Sequence, residues 1–114
     1  MPMLIYKIFR SDEWDHLKAA GQTRGAPIDL DDGYIHFSTS SQAQETADKH
    51  FAGADNLYVA AIDATKLGTG LKWEVSRGGA EFPHFYGKLD ITDVEWGLPL
   101  PLVKGRHEFP EKFI

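Results

Sequence analysis

The sequence predicts an α+β fold built on a mainly antiparallel sheet, with two short helices in its N-terminal half. Helix signals gather before about Phe51, whereas the second half is a succession of short β-branched and aromatic runs broken by Gly and Pro. The 114 residues amount to one domain's length, and 42% hydrophobic content with 7 Phe, 4 Tyr and 3 Trp supplies a single core. Residues 1–114 are therefore expected to form one domain, with no linker, repeat or low-complexity tract.

Leu4 to Phe9 is rich in β-branched and aromatic residues and reads as a strand. Ser11 or Asp12 then offers an N-cap, Trp14 and Leu17 fall at helical spacing, and Gly21 stops the first helix. From Gly21 to Gly33 the glycines, Pro27 and the aspartates at 29, 31 and 32 predict a loop. Tyr34 to Phe37 reads as a strand ending in four hydroxyl residues, Ser38 to Ser41, and the second helix follows to about Phe51 with Gly53 as its cap. Leu57 to Asp63 is a buried-looking strand. In Leu71 to Ser76 the alternation sets Leu71, Trp73 and Val75 on one face and Glu74 on the other. Phe82 to Tyr86, interrupted by Pro83, looks unsuited to a central strand. Leu89 to Trp96 predicts another strand, and the Pro-rich tail an extended, irregular segment.

Composition excludes several functions. There is no Cys, so disulfides, zinc–thiolate sites and a cysteine nucleophile are ruled out. Twelve basic against 17 acidic residues give a formal charge of −5, which argues against coating nucleic acid or anionic lipid. No apolar run approaches a membrane span, and Lys7 breaks any signal-like stretch, so a cytoplasmic setting is expected. The five histidines form no HExxH pair, so no metal site is expected. Nucleophile-elbow, phosphate-loop and dinucleotide-binding glycine motifs are absent.

Three groups could carry chemistry. Ser38, Thr39 and Ser40 end a strand and open a helix, which suits a phosphate or carboxylate; the same residues, with Gln42, also fit an ordinary helix cap. His36 and His84 each sit among aromatics, as polar groups do in ligand pockets or as backbone-bonded imidazoles do in a core. Tyr86 flanks His84. Glu74 lies either on a solvated face or in a cleft, where its carboxylate would stabilise a sugar cation.

The segment Asp32-Gly33-Tyr34-Ile35-His36-Phe37-Ser38-Thr39-Ser40-Ser41-Gln42, followed by Phe82-Pro83-His84-Phe85-Tyr86-Gly87, resembles the small bacterial family called domain of unknown function 952. Ile5-Tyr6-Lys7-Ile8 and Leu71-Lys72-Trp73-Glu74 also fit its pattern, so the resemblance spans nearly the whole chain. The family is remotely similar to the ADP-ribosyltransferase-like fold, which implies a split antiparallel sheet around a cleft for NAD. Ser38-Thr39-Ser40 matches the Ser-Thr-Ser motif of such enzymes and Glu74 their glutamate. Lys72 stands two places earlier, where they carry an acidic residue or Gln. Tyr6-Lys7 replaces an aromatic followed by His, so Lys7 would contact ribose or phosphate.

The resemblance thus implies catalysis by Glu74 and His36, with Lys7, Ser38, Thr39, Ser40, Gln42, His84 and Tyr86 binding ligand. NAD would be substrate rather than a bound cofactor, and the partner a nucleotide-like small molecule. The alternatives are a non-catalytic ligand-binding module, or a protein-interaction module using the Pro99-x-Pro101 tail.

Overall fold

A computed structural model describes residues 3–111. The chain opens with strand β1 (Leu4–Arg10), whose alternation sends Ile5 and Phe9 into one apolar cluster and Tyr6 and Ile8 into another on the opposite face. Helix α1 (Ser11–Ala20) begins where the Arg10 N–H donates to Glu13 Oε1 at 2.9 Å. It buries Trp14 and Leu17 and ends at Gly21, whose φ of 81° lets its N–H reach the Leu17 carbonyl.

Strand β2 (Gln22–Thr23) follows, and then helix α2 (Pro27–Asp32) where a loop was expected. Among the described residues the chain therefore has three α-helices rather than two. Pro27 occupies the first helical position, where its missing N–H costs nothing, and the Asp29 carboxylate accepts the Ala26 N–H at 2.7 Å. Six residues, four of them acidic or Pro, give no apolar period. Such a helix is invisible to pattern reading. After strand β3 (Ile35–His36), helix α3 (Ser40–His50) starts at Thr39, whose N–H donates to Gln42 Oε1 at 3.0 Å. Ala43 and Ala47 are fully buried, and α3 packs on β1 through this small-residue face. The helix ends at Phe51, before the expected Gly53.

Two antiparallel three-stranded sheets follow. In one, β4 (Leu57–Asp63) lies between β1 and β8 (Val94–Leu100). In the other, β6 (Glu81–Phe85) lies between β3 and β5 (Leu71–Val75). The Pro83 segment is thus a central strand, against expectation. Pro83 pairs with Phe37, whose N–H donates to the Pro83 carbonyl at 3.0 Å. The missing Pro83 N–H points to that same side, one residue past the end of β3, where the ladder stops anyway.

The alternation of β5 is as expected, and the face that carries Trp73 and Val75 is the open one. Trp73 is 36% and Val75 69% exposed, whereas Glu74 turns toward β6 and its histidine. β5 is an edge strand, so its apolar face has little to cover it. The expected Leu89–Trp96 strand divides into β7 (Leu89–Asp90), paired with β2, and β8. Between them a single helical turn begins where Asp90 accepts the Thr92 N–H. The tail is not irregular. β9 (Leu102–Val103) and β10 (Arg106–His107) pair around Lys104 and Gly105, both at positive φ, and His107 Nε2 meets the Ala54 carbonyl at 2.7 Å. No helix among the described residues is long and apolar enough to cross a membrane.

Among the described residues one backbone bridge joins the two sheets. Tyr6 and Ser38 exchange both backbone hydrogen bonds at 2.8 Å, and beyond them β1 and β3 diverge.

Candidate functional site

The divergence of β1 and β3 creates a local problem that Lys7 and Asp29 solve. In the register set by Tyr6 and Ser38, the main chain of His36 would pair with Ile8. Instead the His36 N–H donates to Asp29 Oδ1 at 3.1 Å, and the His36 carbonyl accepts from Lys7 Nζ at 3.1 Å. Lys7 Nζ and Asp29 Oδ2 are themselves 2.9 Å apart, with side chains 7% and 0% exposed. A buried ion pair replaces two ladder hydrogen bonds, and the sheet stays open.

The imidazole of His36 extends this network. Its Nδ1 lies 2.6 Å from Asp29 Oδ1 and its Nε2 3.0 Å from Asp32 Oδ2. A neutral ring donates from one nitrogen only, whereas the imidazolium donates from both. Burial pushes the Asp29 carboxyl up, but His36, Lys7 and the Ala26 N–H outweigh it, and the net position is below the usual carboxylate range.

Across the β3–β6 pair, His36 faces His84, their rings 5.4 Å apart. His84 is buried, and its Nδ1 lies 2.9 Å from Glu74 Oε1. Tyr86 donates its hydroxyl to the same oxygen at 2.8 Å. Tyr34 lies over both imidazoles, 4.2 Å from His84 and 4.6 Å from His36, and 5.2 Å from Tyr86. The hydrogen bonds from His84 and Tyr86 hold the Glu74 carboxyl low. The bond to Glu74 pushes the Tyr86 phenol up, and burial, with Asp32 and Glu74 nearby, pushes up that of Tyr34. A carboxylate that fixes one nitrogen of an imidazole leaves the other to exchange a proton.

A cavity of about 710 Å³ occupies the split, within the range of small-molecule sites. Lys7, Asp29, His36, Ser38 and His84 all reach its wall. Glu74 and Tyr86 stand behind His84 rather than in the lining. Thr39, Ser40 and Gln42 lie outside the lining too. Gln42 ties the start of α3, its amide also donating to the Glu81 carbonyl at 2.7 Å, and Ser38 Oγ pairs with Thr46 Oγ1 at 3.0 Å.

Asp29, Asp32 and Tyr34 escaped the sequence reading. A proline two residues before Asp29 at a helix start was the signal for the first. Among the described residues no group of three or more His, Asp or Glu is placed to hold a metal ion.

The chain belongs to the family described as protein of unknown function (DUF952), whose model matches residues 8–97. Among solved structures it is similar to protein CC0527 from Caulobacter crescentus, whose crystal structure is 49% identical, with a TM-score of 0.89 over 92% of this chain and 93% of that one. The crystal structure of a CC0527 double mutant gives 48% identity and a TM-score of 0.88, covering 92% of this chain and 93% of that one. The solution NMR structure of CC0527 gives 48% and 0.82, covering 92% and 90%. No curated protein matches the chain significantly.

Proposed function

We propose that the chain is an ADP-ribosyltransferase-like enzyme acting on NAD or a related nucleotide at the nicotinamide–ribose bond. The observation that carries this is the Glu74–His84 pair, 2.9 Å apart, with the imidazole at the wall of the cavity in the split and His36 facing it. The substrate would lie in the cavity, with Lys7 and Ser38 toward its ribose and phosphates. The C1′–N bond breaks with its electron pair leaving on the nicotinamide nitrogen, and an oxocarbenium-like centre develops at C1′. Negative charge from Glu74 stabilises that centre and the imidazolium that follows. Water or an acceptor hydroxyl adds to C1′ and gives its proton to His84. NAD is substrate here, no bound cofactor is invoked, and we assign the chain to the cytoplasm.

The test is release of nicotinamide from NAD by the purified protein. Glu74→Gln is expected to lower it by about 10²-fold or more, the scale of losing one stabilising group, with the fold checked by circular dichroism. No release from NAD, in an assay where a working transferase is active, overturns the proposal.

One observation favours a second reading, a non-catalytic nucleotide-binding module: Glu74 Oε1 already accepts from both His84 and Tyr86. A ligand at 100 times its dissociation constant adds about 2.7 kcal/mol to stability. A thermal shift with NAD or ADP-ribose that survives Glu74→Gln, without turnover, selects binding.

A further inference from the structure

The free edge of β5 points to a second copy of this chain. In the β5–β6 ladder Tyr86 donates to the Gly70 carbonyl and Ser76 to that of Ala80, so residues 70, 72, 74 and 76 bond toward β6. The main-chain groups of Leu71, Trp73 and Val75 therefore point outward. The Leu71 N–H is used by the Gly68 carbonyl, which leaves Trp73 and Val75 as the open part of the edge among the described residues. Both carry exposed apolar side chains. Such an edge is a template for another strand unless something blocks it.

We propose that two copies pair antiparallel through β5, on a two-fold axis at Trp73. The sequence Leu71-Lys72-Trp73-Glu74-Val75 is self-complementary about that centre. Trp73 faces the partner's Trp73, Leu71 faces the partner's Val75, and Lys72 faces the partner's Glu74 on the other face. The outward groups of Trp73 form the central hydrogen-bonded pair. Shifting the axis to Glu74 also aligns outward groups, but sets two glutamates opposite one another, which destabilises a strand pair. Charge selects the first register. A lysine on an edge ordinarily discourages pairing; here each lysine meets a carboxylate. The interface is isologous, so it closes at two copies instead of growing into a fibre.

The chain has no Cys, so a single introduced one reports the register. Residues in a central hydrogen-bonded pair have Cα atoms about 5.5 Å apart, inside the range a disulfide spans. Trp73→Cys is expected to form a covalent dimer under mild oxidation. Val75→Cys is expected to stay monomeric, because the partner's Val75 lies four residues, about 13 Å, further along the strand. Light scattering over a dilution series of the unaltered chain is expected to show a dimer that Trp73→Pro converts to monomer. The Trp73 N–H takes no part in the ladder to β6, so an edge proline there spares the sheet. An unaltered chain that is monomeric throughout overturns the proposal. So does equal crosslinking of the two cysteine variants, or a dimer that persists in a folded Trp73→Pro chain. Should Trp73→Pro fail to fold, the cysteine pair decides.

Discussion

Replacing Asp29 by Asn tests whether an ion pair holds the two sheets apart. The native carboxylate receives Lys7 at 2.9 Å, the Ala26 N–H at 2.7 Å, and the ring and main chain of His36 at 2.6 and 3.1 Å. An amide keeps a hydrogen-bonding shape but removes the charge, leaving Lys7 buried without a counter-ion. Removing one partner of a buried pair costs about 3–5 kcal/mol. Stability for 114 residues at 0.05–0.15 kcal/mol each is about 6–17 kcal/mol, so the loss is a large share of the whole. With a urea dependence of about 2 kcal/mol per molar, a loss of about 4 kcal/mol moves the unfolding midpoint down by about 2 M. Lys7→Met is expected to cost a similar amount. The double variant Lys7→Met with Asp29→Leu is expected to cost less than the sum of the Lys7→Met and Asp29→Leu losses measured singly, because neither charge is then stranded. It does not return to full stability, since the His36 N–H and carbonyl lose their partners, at about 1–3 kcal/mol for each unsatisfied group. An Asp29→Asn loss below about 1 kcal/mol, or strict additivity in the double variant, refutes the strut.

Acid unfolding follows from the same carboxyl. Its pKa is lower folded than unfolded, so its contribution is complete above about pH 4 and is lost as pH falls through the folded value. Asp63 and Asp90, held low by hydrogen bonds from Thr65 and Thr92, add to this limb, so Asp29→Asn should make it shallower without abolishing it in pH-dependent urea melts. Glu74→Gln removes the carboxylate charge beside Tyr86 and Tyr34; ultraviolet titration should then show tyrosine ionisation moving back toward about pH 10. An unchanged curve counts against the Glu74–Tyr86 contact. Gly97→Ala drives a methyl group into the buried ring of Trp14. It is expected to cost about 1–3 kcal/mol by urea unfolding, whereas a neutral result refutes that close approach.

The elements with a clear apolar period were legible in the sequence: β1, α1, α3 and β4 lie close to where spacing and caps put them. The failures share a cause. α2 is built on a proline and a side-chain acceptor, not on an apolar stripe. β6 tolerates Pro83 because the neighbouring strand has already ended, which depends on partners distant in sequence. The exposure of the apolar face of β5, which the alternation left undecided, follows from this strand's place at an edge. His36, His84 and Glu74 could be singled out by their settings. Their convergence could not, since strand register across 48 residues brings His36 to His84. The hydroxyl run read equally as cap or ligand site, and it divides: Ser38 reaches the cavity while Gln42 closes the helix start.

One side chain spans the opening between the sheets. Tyr6 and Ser38 act as a hinge pin, and one residue further on the Lys7 ammonium reaches both the Asp29 carboxylate and the His36 carbonyl. Aperture is thereby uncoupled from core packing. A longer or shorter cation at position 7 would change the opening while Ile5 and Phe9, two positions away on the same face, keep their places.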